Sequence, residues 1–306
     1  SCPLYDQIVD AQANLLQDKN INLESFWSDW PEVYEAKFGH TLPTKTLKQG
    51  QDFDKVIFGI SVASIEHLCP ELIALDHKFK QQATEIKAVA TQAFQVWMNK
   101  SDEQLGFNLI PQSQERPILS SFSQPFDTWA AMSNLLDKED WPLNNHPKNL
   151  AYFCSAYTCD DYPGKDLHDF PTRQKAIVKQ NALEKLDKEM HPLWPEAYHG
   201  NEFNWDVLYS ANNLQGESRF DEQYWRVNVD PSERYVLSVS NSSQYRLPTD
   251  GTIFSNLFIT GDWIKTGVNA GCVEAAVMAG MQTSRAICGI PEQISGENGF
   301  EPDGAI

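Results

Sequence analysis

The chain has 306 residues, of which 41% are hydrophobic, so it is long enough for two ordinary domains or for one large domain with an insertion. Its formal net charge of −18 argues against nucleic acid or an anionic membrane surface as a partner, because the long-range field repels both. No apolar run is long enough for a membrane-spanning helix, so none is expected.

The six cysteines are scattered without a dense repeating pattern, which favours reduced thiols and a cytoplasmic location. The N-terminus has neither the basic segment nor the apolar segment of a signal peptide. Because it also lacks an initiator methionine, we expect the chain to begin partway through a longer protein.

The first part of the chain is predicted to be mainly helical. Residues 1–50 are interpreted as a helical cap or linker, because apolar residues recur at helical spacing in YDQIVDAQANLLQDK and LESFWSDWPEVYEAKF. The apolar run at 56–60 is typical of a strand buried on both faces. A helix broken at Pro70 follows, and a second amphipathic helix is predicted over about 71–90.

Residues 71–249 are predicted to form a mixed-sheet substrate-binding domain. TQAFQVWM, PILSSF and NLAYFCSAY are strand-like, whereas PFDTWAAMSNLL is predicted to be helical because Pro125 suits a first helical turn. A charged helix is predicted over 171–190, with a buried stripe of Val178, Ala182, Leu186 and Met190. Further strands are predicted at WDVLYS, YWRVNV and RYVLSV.

Strands and helices without strict alternation indicate an α+β or irregular α/β fold. One part would combine residues 51–70 with residues 250–290 and hold strand 56–60, strand 256–260 and a helix at 271–288. The other part would hold the aromatic-rich strands of the middle. The acidic Gly/Pro-rich segment 291–306 is expected to be a mobile tail.

The stretch NLFITGDWIKTGVNAGCVEAAVMAG, residues 256–280, carries the chemistry. A buried strand that ends at Gly261-Asp262 places a carboxylate at the carboxyl edge of a sheet, where open α/β sheets bind ligands. The helix that follows offers free backbone N–H groups at its N-terminus. An acceptor for hydroxyls beside such donors suits a cofactor with a polyol chain and an electron-poor ring. The same residues also suit a simple turn capped by Asp262.

This stretch resembles the C-terminal FAD-binding signature of the flavin-containing amine oxidase and phytoene desaturase superfamily, and DFDKVIFGISVASIEHL resembles the segment by which those chains re-enter the FAD domain. The resemblance implies an FAD-dependent oxidoreductase that oxidises a small organic substrate by hydride transfer to the flavin. It also implies Asp262 on the ribityl chain and the backbone of Cys272 and Val273 near the flavin pyrimidine edge. Gly261, Trp263 and Gly271 complete the implied cofactor-binding set.

The resemblance is incomplete in two respects. One extra residue lies between Gly261 and the run Glu274–Val277, and no G-x-G-x-x-G turn for the ADP half of FAD is present. We therefore expect the C-terminal portion of a longer flavoprotein, which holds a partial FAD-binding domain of the GR2 or amine oxidase type. Its partner would be a missing N-terminal dinucleotide-binding segment or chain. Alone, this chain is expected to bind FAD weakly or not at all and to be inactive.

Other functions are compatible with the same sequence. One is a non-catalytic binding or partner module on this scaffold. Another is a serine hydrolase, because Gly59-Ile60-Ser61-Val62-Ala63 approaches the G-x-S-x-G elbow, with one of His168, His191 or His199 in a triad. Ser61 as a helix N-cap explains those letters more simply.

Two further groups of residues were weighed. Cys154 and Cys159 stand near several aspartates and His168, but their spacing matches no common zinc site, so no metal is predicted. Aromatic residues of the middle strands could wall a substrate pocket or form an ordinary core: Tyr152, Phe153, Tyr157, Trp225 and Tyr235. Lys265 does not match the lysine that many amine oxidases place near the flavin, and no catalytic residue is assigned.

Overall fold

The fold is α+β, with helices and several small sheets. It is given by a computed structural model that describes residues 14–17, 19, 21–107, 117–142, 145–159 and 161–299. Within these residues the chain divides into two compact units. The first comprises Ser1–Val89, Pro163–His168 and Asp230–Ile306, and the second comprises Ala90–Tyr162 and Asp169–Val229.

The first unit contains short helices, two small sheets and one long helix near the end of the chain. Its two sheets pair β1 with β11 in parallel and β2 with β10 in antiparallel fashion. Its helices are α1 (Trp30–Phe38), α2 (Ile65–Leu68), α3 (Pro70–Leu75), α4 (His77–Glu85) and α6 (Val273–Cys288), and its strands are β1 (Val56–Phe58), β2 (Ala88–Val89), β10 (Tyr235–Val236) and β11 (Leu257–Ile259).

The parallel pair β1–β11 joins two segments that are about 200 residues apart in sequence, with Ile57 opposite Phe258. Both strands were expected, and both are shorter than their apolar runs. β11 is buried along its whole length, whereas Val56 and Ile57 of β1 are exposed. The prediction of a buried strand is therefore confirmed for β11, whereas the prediction of burial on both faces is wrong for β1.

The helix expected over 71–90 is interrupted. Asp76 has an extended backbone and its carboxylate accepts hydrogen bonds from the N–H groups of Lys78 and Phe79, so it ends α3 and caps α4. The second carboxylate oxygen of Asp76 accepts from the Ile253 N–H at 2.8 Å. Apolar periodicity continues across this break, because α3 and α4 both pack against the hydrophobic core of the first unit.

The second unit is built on a five-stranded sheet with the order β4-β5-β6-β3-β9. Every pairing in it is antiparallel, not mixed as expected from the sequence. Its strands are β3 (Thr91–Met98), β4 (Ile118–Leu119), β5 (Thr128–Ala131), β6 (Asn149–Ala156) and β9 (Tyr224–Asn228), and the small pair β7 (Tyr198–His199) and β8 (Glu202–Phe203) lies outside the sheet.

Helix α5 (Phe170–Lys188) packs on one face of this sheet. Its buried positions include Val178, Ala182 and Leu186, as the apolar spacing predicts, while Met190 is buried just beyond the helix end. On the sheet, the rings of Phe94 and Phe153 stack at 4.2 Å. Aromatic side chains therefore supply much of this core.

Two predictions of secondary structure in the second unit are wrong. Residues 125–136 are not a helix, because Thr128–Ala131 joins the sheet as β5 and a 3₁₀ turn covers Ser133–Lys138. WDVLYS is a 3₁₀ turn at Trp205–Val207, not a strand, and the Asn204 side chain caps it by accepting from the Asp206 N–H.

The described part of the C-terminal segment packs against the rest of the first unit. Ile294 is buried, and Glu297 forms a two-fold ion pair with Arg285 of α6. The backbone at Gly296 lies directly against Gly267, where an added Cβ would be 1.9 Å from the Gly296 oxygen. The expectation of a mobile tail is thus not met at 291–299, and residues 300–306 lie outside the described residues.

Candidate cofactor site

The candidate site begins where β11 ends. Gly261 has φ +135°, a conformation that glycine adopts far more easily than other residues, and a Cβ there would be 2.5 Å from Nε1 of Trp263. Trp263 itself is only 2% exposed and packs against Phe58 of β1 in an edge-to-face contact. Gly261 and Trp263 therefore fix the direction in which the chain leaves the sheet.

Buried side chains hold the backbone of this turn, residues 261–265, which we call the Gly-Asp turn. The Arg246 guanidinium donates to the carbonyl oxygens of Asp262 at 2.6 Å and of Ile264 at 3.3 Å. The Gln82 amide lies 3.5 Å from the carbonyl oxygen of the intervening Trp263. The Lys265 N–H donates to the Leu247 carbonyl at 2.8 Å, so the turn is held from several sides.

The Asp262 carboxylate keeps free hydrogen-bonding capacity. It is half-buried, and among the described residues no other side chain donates to it. Burial raises the pKa of Asp262, while the positive charge of Arg246 and its own backbone N–H act in the opposite direction. A partly desolvated acceptor with open lone pairs is suited to a hydroxyl or amide donor of a ligand.

The turn that follows is also organised internally. Thr266 and Asn269 exchange side-chain hydrogen bonds with each other's N–H groups at 3.0 Å, and Asn269 has φ +50°. The Asn269 carbonyl accepts from the Ser238 hydroxyl at 2.7 Å. This segment thus has a defined conformation that leads the chain from the Gly-Asp turn to helix α6.

Helix α6 begins at Val273 with Cys272 as its N-cap, and the Cys272 sulfur accepts a 3.4 Å bond from the Ala275 N–H. No partner is recorded, among the described residues, for the N–H groups of Val273 and Glu274. The Val273 side chain is 75% exposed. The first turn of α6 therefore offers two backbone donors and the positive end of a helix dipole.

Gly271 is constrained by the protein itself. A Cβ at Gly271 would be 2.7 Å from the Tyr235 ring and 2.8 Å from the Val236 carbonyl, and the Tyr235 hydroxyl donates to the Gly271 carbonyl. Burial raises the pKa of Tyr235, and the charges of Asp262 and Cys272 add to that effect. The absence of a side chain at Gly271 thus makes room for the Tyr235 ring, whereas at Gly280 an added Cβ would meet nothing within 4 Å.

Asp262, Cys272 and Val273 therefore lie at the two ends of one loop between β11 and α6. Gly261, Trp263 and Gly271 fix the backbone conformation at those ends. Sequence reasoning missed Arg246 and Gln82. Arg246 lies in SQYRLP, which precedes the signature. The sequence feature that could have identified it is a positive charge in a segment that leads into a buried strand. Gln82 is one of several polar residues of an amphipathic helix, and its position in the sequence does not distinguish it from the others.

The rival serine site is not assembled. Ser61 precedes a 3₁₀ turn at Val62–Ser64 but makes no side-chain cap, and its hydroxyl donates to the Arg234 carbonyl at 3.2 Å. His168 contacts the Trp27 carbonyl at 2.9 Å through Nδ1. Within the described chain, no recorded contact joins Ser61 to a histidine. Ser61 thus has neither the hydrogen bond to a histidine that a catalytic serine needs nor the hydrogen bond to a backbone N–H that an N-cap makes.

The described part of the chain around Cys154, Cys159 and His168 forms no metal-binding cluster. Among the described residues, no group of three or more His, Cys, Asp or Glu side chains could hold a metal ion. None of the cysteines that the structure describes is in a disulfide: Cys69, Cys154, Cys159, Cys272 and Cys288.

The aromatic residues of the middle strands divide into two sets. Phe153 and Tyr157 are buried in the core of the second unit, and lysines of α5 lie over the ring of Trp225. Tyr152 is half-buried on the face of the sheet opposite Phe153, where burial and the nearby Cys154 raise its pKa to about 12. Tyr235 belongs to the first unit and adjoins Gly271.

In the part of the chain that the structure describes, none of the helices combines the length and the apolar character needed to cross a membrane.

This chain is similar to a solved structure of an oxidoreductase from Methanosarcina mazei. It shares 15% sequence identity with this chain at a TM-score of 0.44, and the alignment covers 77% of this chain and 43% of that protein. The chain thus spans less than half the length of that oxidoreductase. No protein-family model and no curated protein matches this chain.

Proposed function

We propose that this chain is the C-terminal portion of an FAD-dependent oxidoreductase of the amine oxidase or desaturase type. One observation carries the proposal: a half-buried Asp262 carboxylate with open acceptor capacity precedes, on an internally braced loop, a helix N-terminus with two free N–H donors. These are the donors and acceptors that a flavin's ribityl chain and pyrimidine ring require.

Each residue would have a defined task. Asp262 would accept a hydrogen bond from a ribityl hydroxyl, and the N–H groups of Val273 and Glu274 would donate to acceptors on the ring. The helix dipole of α6 favours negative charge at that end. A bound flavin supplies the hydride acceptor for oxidation of a small organic substrate, while the protein contributes orientation and electrostatics.

The exposed apolar residues of the first unit support a further segment as partner. Strands of parallel sheets are normally buried on both faces, yet Ile57 of β1 is 58% exposed. On α6, the outward-facing Val273, Val277 and Met281 are exposed as well. A β–α–β segment that adds a strand beside β1 would cover such a surface, and it would provide the pyrophosphate-binding turn that this chain lacks.

The proposal is tested by the visible absorption of the purified protein. The chain is prepared alone and together with a separately supplied dinucleotide-binding segment that carries G-x-G-x-x-G. We expect a flavin band only in the combined preparation. The isolated chain should bind riboflavin weakly. Riboflavin has no ADP half and therefore does not need the dinucleotide-binding segment.

Asp262→Asn is the decisive variant. It keeps the shape of the side chain but removes the negative acceptor, so riboflavin affinity should fall roughly tenfold, and affinity of the parent should also fall as the pH drops below the pKa of Asp262. Asp250→Asn, an exposed aspartate before β11, is the matched control. A complete protein that stays colourless with added FAD would instead favour a non-catalytic binding module.

A further inference from the structure

We propose that Arg246 is the positioning residue of the Gly-Asp turn, which it holds by two backbone hydrogen bonds while providing the counter-charge to Asp262. Its use in cofactor binding rests on the function proposed above. Its role in the turn itself rests only on contacts within this chain.

Burial is the first part of the argument. Arg246 is 3% exposed, and Nε has no hydrogen-bond partner among the described residues. Burial lowers the pKa of Arg246, whereas the negative charge of Asp262 raises it. A buried cation is costly unless it is paired and hydrogen-bonded, so its presence here requires a compensating role.

The pattern of its bonds identifies that role. The guanidinium donates to the carbonyls on either side of Trp263, those of Asp262 and Ile264, and also contacts the Ser238 hydroxyl at 3.4 Å. Gln82 adds a longer contact to the Trp263 carbonyl. Three consecutive carbonyls thus face buried side-chain donors. Nη1 of Arg246 donates to two of them, and Nη2 lies against the Ser238 hydroxyl.

The charges around Asp262 make Arg246 its principal stabiliser. The charged and titratable groups that act on this site in the described chain are Arg246, Tyr235 and Cys272, and of these only Arg246 is positive. Without it, burial would favour the neutral acid, which is a poorer acceptor for a ligand hydroxyl. Arg246 therefore links the shape of the turn to the charge of its functional group.

The experiment separates these two contributions in the full chain. Carboxyl ¹³C resonances of aspartate are titrated by NMR, with Asp262→Asn to assign the signal, and amide hydrogen exchange is followed at Ile264 and Lys265. For Arg246→Met we expect a higher pKa of Asp262 and roughly tenfold faster exchange at both amides. For Arg246→Lys we expect the pKa of Asp262 to stay close to that of the parent while exchange still accelerates. Lysine keeps the charge but lacks the planar group whose Nη2 contact with Ser238 orients Nη1 toward the two carbonyls.

Arg219→Met is the matched control, since Arg219 donates to the Leu208 carbonyl in the second unit and should leave Asp262 unchanged. The inference is overturned if Asp262 titrates identically in the parent and in Arg246→Met. If that variant does not fold, an Arg246→Lys protein with parental exchange at Ile264 and Lys265 overturns it equally. If the NMR changes occur but no flavin binds to the complete protein, the proposed cofactor fails while the role of Arg246 in the turn stands.

Discussion

At the scale of single residues, close backbone contacts decide which positions tolerate change. Gly267 is the extreme case, because the Gly296 carbonyl occupies the space that a side chain would need. Gly280 is the opposite case, an exposed glycine inside α6 whose Cβ would meet nothing. Both glycines are near the candidate site, yet the structure predicts different effects when a side chain is added at each of them.

Gly267→Ala should lower the free energy of unfolding by about 2 kcal/mol or more, since the clash is with backbone and cannot be relieved by a rotamer change. Gly280→Ala should raise it by roughly 0.5–1 kcal/mol, because alanine is a better helix former at an open position. Urea denaturation of both variants and the parent measures the difference. Equal stabilities for the two variants would contradict the packing of 296–297 against Gly267.

At the scale of elements, side-chain caps set the boundaries that apolar periodicity leaves open. Strands β3 and β6 and helix α5 could be predicted closely, because each has a long and regular apolar pattern. The break at Asp76 and the strand β5 could not, because one depends on a contact with residue 253 and the other on pairing with β6. Likewise Asp262 was identified by its motif, whereas Arg246 and Gln82 act through tertiary contacts that leave no spacing pattern.

Asp76→Ala tests the cap of α4. The substitution leaves the N–H groups of Lys78, Phe79 and Ile253 without their acceptor, so we expect a loss of about 2 kcal/mol in the free energy of unfolding. Asp76→Asn, which keeps one acceptor oxygen, should lose less. Asp52→Ala, which removes an exposed bond to the Lys48 N–H, serves as the control. A loss at Asp76 no greater than at Asp52 would show that the cap contributes little.

At the scale of the whole molecule, charge is the dominant feature. A net charge of −18 spread over 306 residues makes the folded chain repel itself, and salt screens that repulsion over a Debye length of about 10 Å at 0.1 M. The same field would hinder approach of anionic partners. A positively charged or neutral complementary segment is the partner that this charge favours.

Raising sodium chloride from about 20 mM to about 200 mM should therefore raise the melting temperature of the chain, measured by circular dichroism. An equal osmolality of an uncharged osmolyte distinguishes screening from preferential exclusion, because only the salt changes the Debye length. A melting temperature that falls with salt would indicate that attractive ion pairs, such as Arg285–Glu297, outweigh the net repulsion.

The contact between Gly267 and Gly296 also affects how sequence variation in this protein should be interpreted. Residues 292–297 lie roughly thirty positions beyond Asp262, yet through Gly267 and Arg285 they support the loop and the helix that follow it. Substitutions there can thus disturb the Gly-Asp turn and helix α6 without touching Asp262 itself. A survey that ranks variants by nearness to the Gly-Asp motif along the chain would classify them as harmless, whereas ranking by shared backbone contacts would not.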